Sequence, residues 1–332
     1  MKERNSTFEL LRIIAIIFIM IHHVVVFGLG GCNYDTSTHC EGTNPWVNDI
    51  LNSLCIIGVN LFILITGWFG VKSVVRSLYR LLPVYACVVL FVMMQRQNVS
   101  RDTWSMTGWW YVPHYCMLVL CSPLIESSIR GITSRKFTWY MTLLTIVTFL
   151  FGYHWKYMNV DGYNFLNFIY LYYLARYLKL QKEKTYAKYL FKNGLSIWIG
   201  CSILLGVFHT WRILGGHVYD SNSYFGYNNP LVVLSSIGFF CWFSTMNFKN
   251  KIVNFIAGGT FAVYLVSTKE FGQLHIGNMG MMAFEKVSYL GVVLYSLMLT
   301  IVMYIPCSVV CWVCRKVSMP KRMKIFVEKY EH

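Results

Sequence analysis

The chain has 332 residues, 56% of them hydrophobic and only 13% charged, with a formal charge of +15. Charged residues make up about a quarter of ordinary soluble domains, so this composition excludes a water-soluble fold and implies an all-α, polytopic integral membrane bundle formed by one domain over residues 1–332. The positive charge does not signal nucleic acid, because Lys and Arg fall in short stretches between apolar segments, where membrane topology places them.

The first apolar segment, Phe8 to Leu29, is long enough to cross a hydrocarbon core of roughly 30 Å as a helix. It nevertheless contains Glu9, Arg12, His22 and His23. Ionisable groups at membrane depth lose hydration and persist where they are paired or line a wet cavity, so they mark a functional site by default. At about 100° per residue, the eleven steps from Arg12 to His23 close three turns to within about 20°, whereas His22 falls about 80° short. Arg12 and His23 therefore share a face at depths about 16 Å apart, with Glu9 near the same face. A basic N-terminus followed by an apolar run and Leu29-Gly30-Gly31-Cys32 imitates a lipoprotein leader, but a disposable leader has no use for these four ionisable residues.

Cys32 and Cys40 share the following polar loop, where a disulfide is open to them if the loop faces an oxidising space. Cys311 and Cys314 form a CxxC with no second cysteine pair, which reads as interface packing rather than a metal site. The second segment, from Gly58 to Lys72, places Asn60 and Thr66 among apolar residues, a pattern that ordinarily serves interhelical packing and hydrogen bonding. At the start of the third, Arg76 and Arg80 stand four residues apart and project from one helix face, either to bind phosphates or to snorkel to headgroups.

The fourth segment carries Trp109, Trp110, Pro113, His114, Tyr115, Pro123 and Glu126, and its two prolines predict a bent or broken helix. His114 reads as a second proton-transfer group or as a hydrogen-bonded structural histidine. In the ninth segment Thr260, Tyr264 and Ser267 share a face, and Lys269 and Glu270 are placed to pair. Hydropathy predicts about ten spans, near 8–29, 47–70, 74–95, 107–128, 137–153, 163–180, 194–211, 230–247, 252–271 and 286–312. Basic residues concentrate on one side of these spans, which predicts cytoplasmic termini. The opposite loops hold Tyr34, Trp46, Trp104, His154, Trp155, Tyr163, His217, Tyr219, Tyr224 and Tyr227, suited either to stack on sugar rings or to form an interfacial belt.

Together these segments resemble the acyltransferase-3 family. The family's acidic residue, Arg, ten residues and His are matched by Glu9, Arg12 and His23, and its GV-x-x-F…SGF pattern by Gly58 to Phe69 with Thr66 for Ser. Its W-F-L…Y…P pattern is similar to Trp110 through Tyr115 to Pro123, and its TFG-x-YL-x-H pattern to Thr260 through Ser267. Two departures stand out. The family's Arg-x-x-Arg is here Arg76-x-x-x-Arg80, and Ser267 replaces the late His. The resemblance implies a multi-pass enzyme of the bacterial inner membrane that moves an acyl group, most often acetyl from acetyl-CoA, to a hydroxyl of an extracytoplasmic or lipid-linked saccharide. It implies His23 as base, with Arg12 and Glu9 as further catalytic residues, and Arg12, Arg76 and Arg80 for the donor. Trp110, His114 and Tyr115 then stand toward the acceptor, with no metal and no nucleic acid. A rival reading is a transporter or flippase that lines its pathway with the same polar residues.

Overall fold

The computed structural model describes residues 5–30, 41–95, 109–216, 224–268, 270–317 and 319–330, which form helices and connecting turns with no strand among them. Their order is α1 (Ser6–Gly28), α2 (Pro45–Cys55), α3 (Gly58–Phe69), α4 (Val74–Gln95), α5 (Tyr111–Ile129), α6 (Ser134–Val147), α7 (Phe165–Gln181), α8 (Thr185–Leu214), α9 (Pro230–Phe243), α10 (Lys251–Ile256), α11 (Thr260–Thr268), α12 (Glu270–Lys316) and α13 (Lys321–Tyr330). Asparagine side chains cap many of the starts. Asn5, Asn44, Asn164, Asn229 and Asn250 each accept a first-turn backbone N–H, and Pro45 and Pro230 follow two of them where the missing N–H costs nothing.

Among the described residues, six helices are long and apolar enough to cross a membrane: Ser6–Gly28, Pro45–Phe69, Val74–Phe91, Tyr111–Ile129, Thr185–Leu214 and Ile276–Lys316. The chain is a membrane protein. The other four predicted windows also fold as helices, but shorter ones: α6 gives way to a π-helical turn over Thr148–His154, α7 contains Arg176 and Lys179, and α9 and Lys251–Ser267 are brief. The predicted span 47–70 is two helices, α2 and α3, joined at Ile56 and Ile57.

α1 occupies the centre of the bundle, packed against α12 and also against α2 and α3. Its first turn is tied to the chain ahead of α10, through Ser6 N–H to the Phe248 carbonyl at 3.1 Å and Thr7 Oγ1 to the Met246 carbonyl at 3.1 Å. α3 runs close to both neighbours. A side chain at Gly58 would collide with the Ala15 carbonyl of α1, and one at Gly67 with the Tyr172 carbonyl of α7. Asn60 Nδ2 donates to the Tyr227 carbonyl at 3.0 Å and to Ser236 Oγ at 3.1 Å, so its work is interhelical, as its setting predicts.

The predicted break in the fourth span does not occur. α5 is one helix with Pro113 in its first turn and Pro123 in its interior. Pro123 cannot donate to the Val119 carbonyl four residues back, and the Ser122 hydroxyl donates to that carbonyl instead, at 2.7 Å. Cys311 and Cys314 are buried, the latter with its sulfur 3.7 Å from that of Cys87 on α4, in keeping with a packing role. Cys32, Cys40, Tyr34, Trp104, His217, Tyr219 and the Lys269 partner of Glu270 lie outside the described residues.

Candidate active site along the first helix

Glu9 and Arg12 sit one turn apart on α1 and form an ion pair of 2.8 Å, both largely withdrawn from the surface. Glu9 also lies in the first turn, where the helix dipole favours a negative charge. The pair keeps a guanidinium inside the bundle without leaving its charge uncompensated. α12, which carries the buried Tyr304, packs along α1, and so does α11, whose Tyr264 contacts Tyr111 of α5.

Three turns along, the two histidines have different fates. His22 lies 2.5 Å from Asn52 of α2 through Nδ1, and an amide oxygen as acceptor fixes the proton on that nitrogen. His23 is buried, with its ring against His22 at 5.7 Å and Phe27 at 5.5 Å, and its Nδ1 has no hydrogen-bond partner among the described residues. The imidazole on the Arg12 face thus points into protein, not lipid, and is the one left uncommitted.

Tyr111 continues the polar surface. Tyr115 stacks on it at 5.5 Å with planes 15° apart, and Tyr264 of α11 lies 5.4 Å away. Trp110 packs on Tyr163 at 4.7 Å and on Tyr227 at 5.6 Å. His114 Nδ1 donates to the Trp110 carbonyl at 2.5 Å, the structural alternative for this residue, while its ring lies 6.2 Å from that of Trp110. Thr260, Tyr264 and Ser267 are buried together on α11; Thr260 Oγ1 lies 3.1 Å from the Tyr304 hydroxyl, and Ser267 Oγ donates to the Tyr264 carbonyl at 3.1 Å.

Arg76 and Arg80 stand apart from this interior. Both are exposed on the first turns of α4, and neither makes an ion pair with a described residue. The turn before α4 is anchored: Val71 N–H donates to the Tyr172 hydroxyl at 3.1 Å, that hydroxyl donates to Glu126 at 2.7 Å, and Glu126 pairs with Arg176 at 2.7 Å. Lys179 adds a bond to the Trp68 carbonyl at 2.6 Å. These contacts fix where α4 begins and so where its two free guanidiniums stand.

The profile of a family described as an acyltransferase domain matches residues 5–314, almost the whole chain. The chain belongs to the acyltransferase-3 family. No curated protein and no solved structure matches it. Membership makes this membrane protein a transferase of acyl groups, and it covers the whole path from the Glu9–Arg12 pair to the cysteines at the end of α12.

Sequence reasoning missed one polar cluster. Asp49 on α2 lies 2.7 Å from His209 Nδ1 and accepts from Thr210 Oγ1 at 2.6 Å, all three fully buried. Gly206 lets the α8 backbone approach Asp49 and Ile50, where a side chain would collide. Asp49 and His209 both fall inside predicted apolar spans, so the rule that exposes Arg12 and His23 applies to them equally.

Proposed function

We propose that this acyltransferase moves an acyl group, acetyl by preference, from acyl-CoA on the cytoplasmic side to a hydroxyl of an extracytoplasmic or lipid-linked saccharide. The bacterial inner membrane, a bundle of about ten spans and cytoplasmic termini belong to the same reading, in which the shorter helices complete the crossings. The observation that carries it is the buried α1 face that holds a paired cation, Arg12, and an uncommitted imidazole, His23, in a chain of this family.

In this reading the phosphates of the donor meet Arg76 and Arg80, which pair with no carboxylate among the described residues, and Arg12 supports the donor deeper in the bundle. The pantetheine arm then runs inward along the face of Tyr111 and Tyr304. His23, about 16 Å further along α1 than Arg12, accepts the proton of the acceptor hydroxyl as its oxygen attacks the thioester carbonyl. The new C–O bond forms, the C–S bond breaks, and the proton passes to the departing thiolate as free CoA. Trp110, His114 and Tyr115 stand toward the acceptor. Arg12, held by Glu9, acts on the donor and not at the reacting carbonyl, which lies about 16 Å further along α1.

Two measurements test this. Purified protein given acetyl-CoA and a saccharide acceptor should release free CoA in proportion to acylated sugar. Surface polysaccharide from cells without the protein should lose one acyl unit in mass. Transport of an unmodified saccharide without thioester consumption would replace this reading with the transporter.

A further inference from the structure

The connection between the π-helical turn and α7 is built unusually. Lys156, Asn159 and Asp161 adopt left-handed backbone with φ of 54°, 58° and 53°, followed by Gly162 at 75°. Non-glycine residues rarely hold this conformation, and a run of them persists only where surrounding contacts enforce it. Here the Tyr227 N–H donates to the Asp161 carbonyl at 2.8 Å, and Asn228 Nδ2 donates to the Asn159 carbonyl at 2.5 Å.

This knot surrounds amides with nothing to bond. Asn167 is fully buried, and neither its Oδ1 nor its Nδ2 has a partner among the described residues; the Oδ1 atoms of Asn228 and Asn159 are also buried and unpartnered. They converge. A Cβ built on Gly162 would lie 3.0 Å from Asn167 Nδ2, 2.6 Å from Asn228 N and 2.8 Å from Tyr227 Cβ, and one on Gly226 would lie 3.1 Å from Asn228 Oδ1. Beside them stand three rings in mutual contact, Trp110, Tyr163 and Tyr227, with Tyr163–Tyr227 centroids 4.7 Å apart. Tyr227 is buried, whereas Tyr163 is 43% exposed and is the face that an arriving molecule meets first.

Buried amides without partners carry a desolvation cost that native proteins tolerate where a ligand or ordered water supplies the missing bonds. The chemistry selects the ligand. Amides both donate and accept, as sugar hydroxyls do, and they carry no charge; aromatic faces suit the apolar C–H face of a pyranose. We propose that Asn167, Asn228 and Asn159, with the platform of Trp110, Tyr163 and Tyr227, form the subsite for a neutral ring of the acceptor saccharide. This rests on the acyltransferase reading and locates its acceptor. Trp110 is followed by Tyr111, whose ring contacts that of Tyr264 on α11, and α11 packs against α1, so the subsite is joined to the first helix through packed side chains.

The test uses Asn167→Leu, a near-isosteric change that removes both orphan atoms, and Tyr163→Ala on the exposed ring. If the amide is kept for a sugar, Asn167→Leu raises the Tm of the detergent-solubilised protein without sugar. It also raises the acceptor KM about tenfold or more and leaves the acetyl-CoA KM unchanged. Tyr163→Ala raises the acceptor KM with no change in Tm. Calorimetric titration with chitotetraose, in the absence of acyl-CoA, gives binding to the unaltered chain that Asn167→Leu abolishes. A lower Tm with unchanged acceptor KM in Asn167→Leu would mean that the amide holds structural water, and overturns the proposal. Sugar binding lost in the variant while acetyl transfer is absent from the unaltered chain would uphold the subsite and sink the transferase reading. Transfer undiminished in both variants does the reverse.

Discussion

His22 and His23 are neighbours on one helix, yet they meet different surroundings. His22 faces α2, where Asn52 stands one turn from Asp49, and Asp49 in turn holds His209 and Thr210. His23 shares the face of Arg12 and finds no partner for Nδ1. The difference separates two uses of polarity in a membrane. On the α2 side, His22 bonds Asn52, and Asp49 bonds His209 and Thr210 across helices, although His209 Nε2 and the Asn48 amide find no partner among the described residues; on the Arg12 side, His23 Nδ1 has none among them either, and no network of bonded neighbours beside it.

The sharpest way to break this contrast is His23→Ala. Turnover should fall about 100- to 10,000-fold while Tm and membrane insertion hold, and full activity would remove the base assignment. Asp49→Ala should act in the opposite sense. Stranding His209 and Thr210 in the interior is expected to cost about 3–5 kcal/mol, read by denaturant unfolding in detergent, with turnover per folded molecule retained. Arg80→Gln should raise the KM for acetyl-CoA about tenfold with kcat little changed, since it removes one charge-assisted contact to phosphate. The smallest effect is His22→Ala, which loses one hydrogen bond and about 1 kcal/mol of stability while most activity remains. A loss of turnover in His22→Ala equal to that in His23→Ala would erase the distinction.

Much of α1 is legible in the sequence because its logic is local. The i, i+3 spacing of Glu9 and Arg12 predicts their pairing, and the helical period puts Arg12 and His23 on one face. What escapes is long-range: Asp49 and His209 are separated by 160 residues, and no pattern in either segment announces the other. Of the bend or break that the prolines of α5 predict, the break is absent, and the Ser122 hydroxyl takes up the carbonyl that Pro123 leaves open, a use that a serine does not announce. The orphan amides of Asn167, in the first turn of α7, and of Asn228, before α9, are visible only once the connection that buries them is known, since asparagine at a helix start or in a turn ordinarily signals no more than a cap or a turn.

The ties between Ser6 or Thr7 and residues 246–250, and the packing of α1 on α12, have a consequence for biosynthesis. The helix that is made first finds its main neighbours only when the last third of the chain arrives. Contacts so distant in sequence form late, so α1 must wait in the bilayer with Glu9 and Arg12 already joined to each other, a pairing that needs no other segment. A ribosome that stops before α9 would leave most of the spans inserted and the α1 face that carries Arg12 and His23 unassembled.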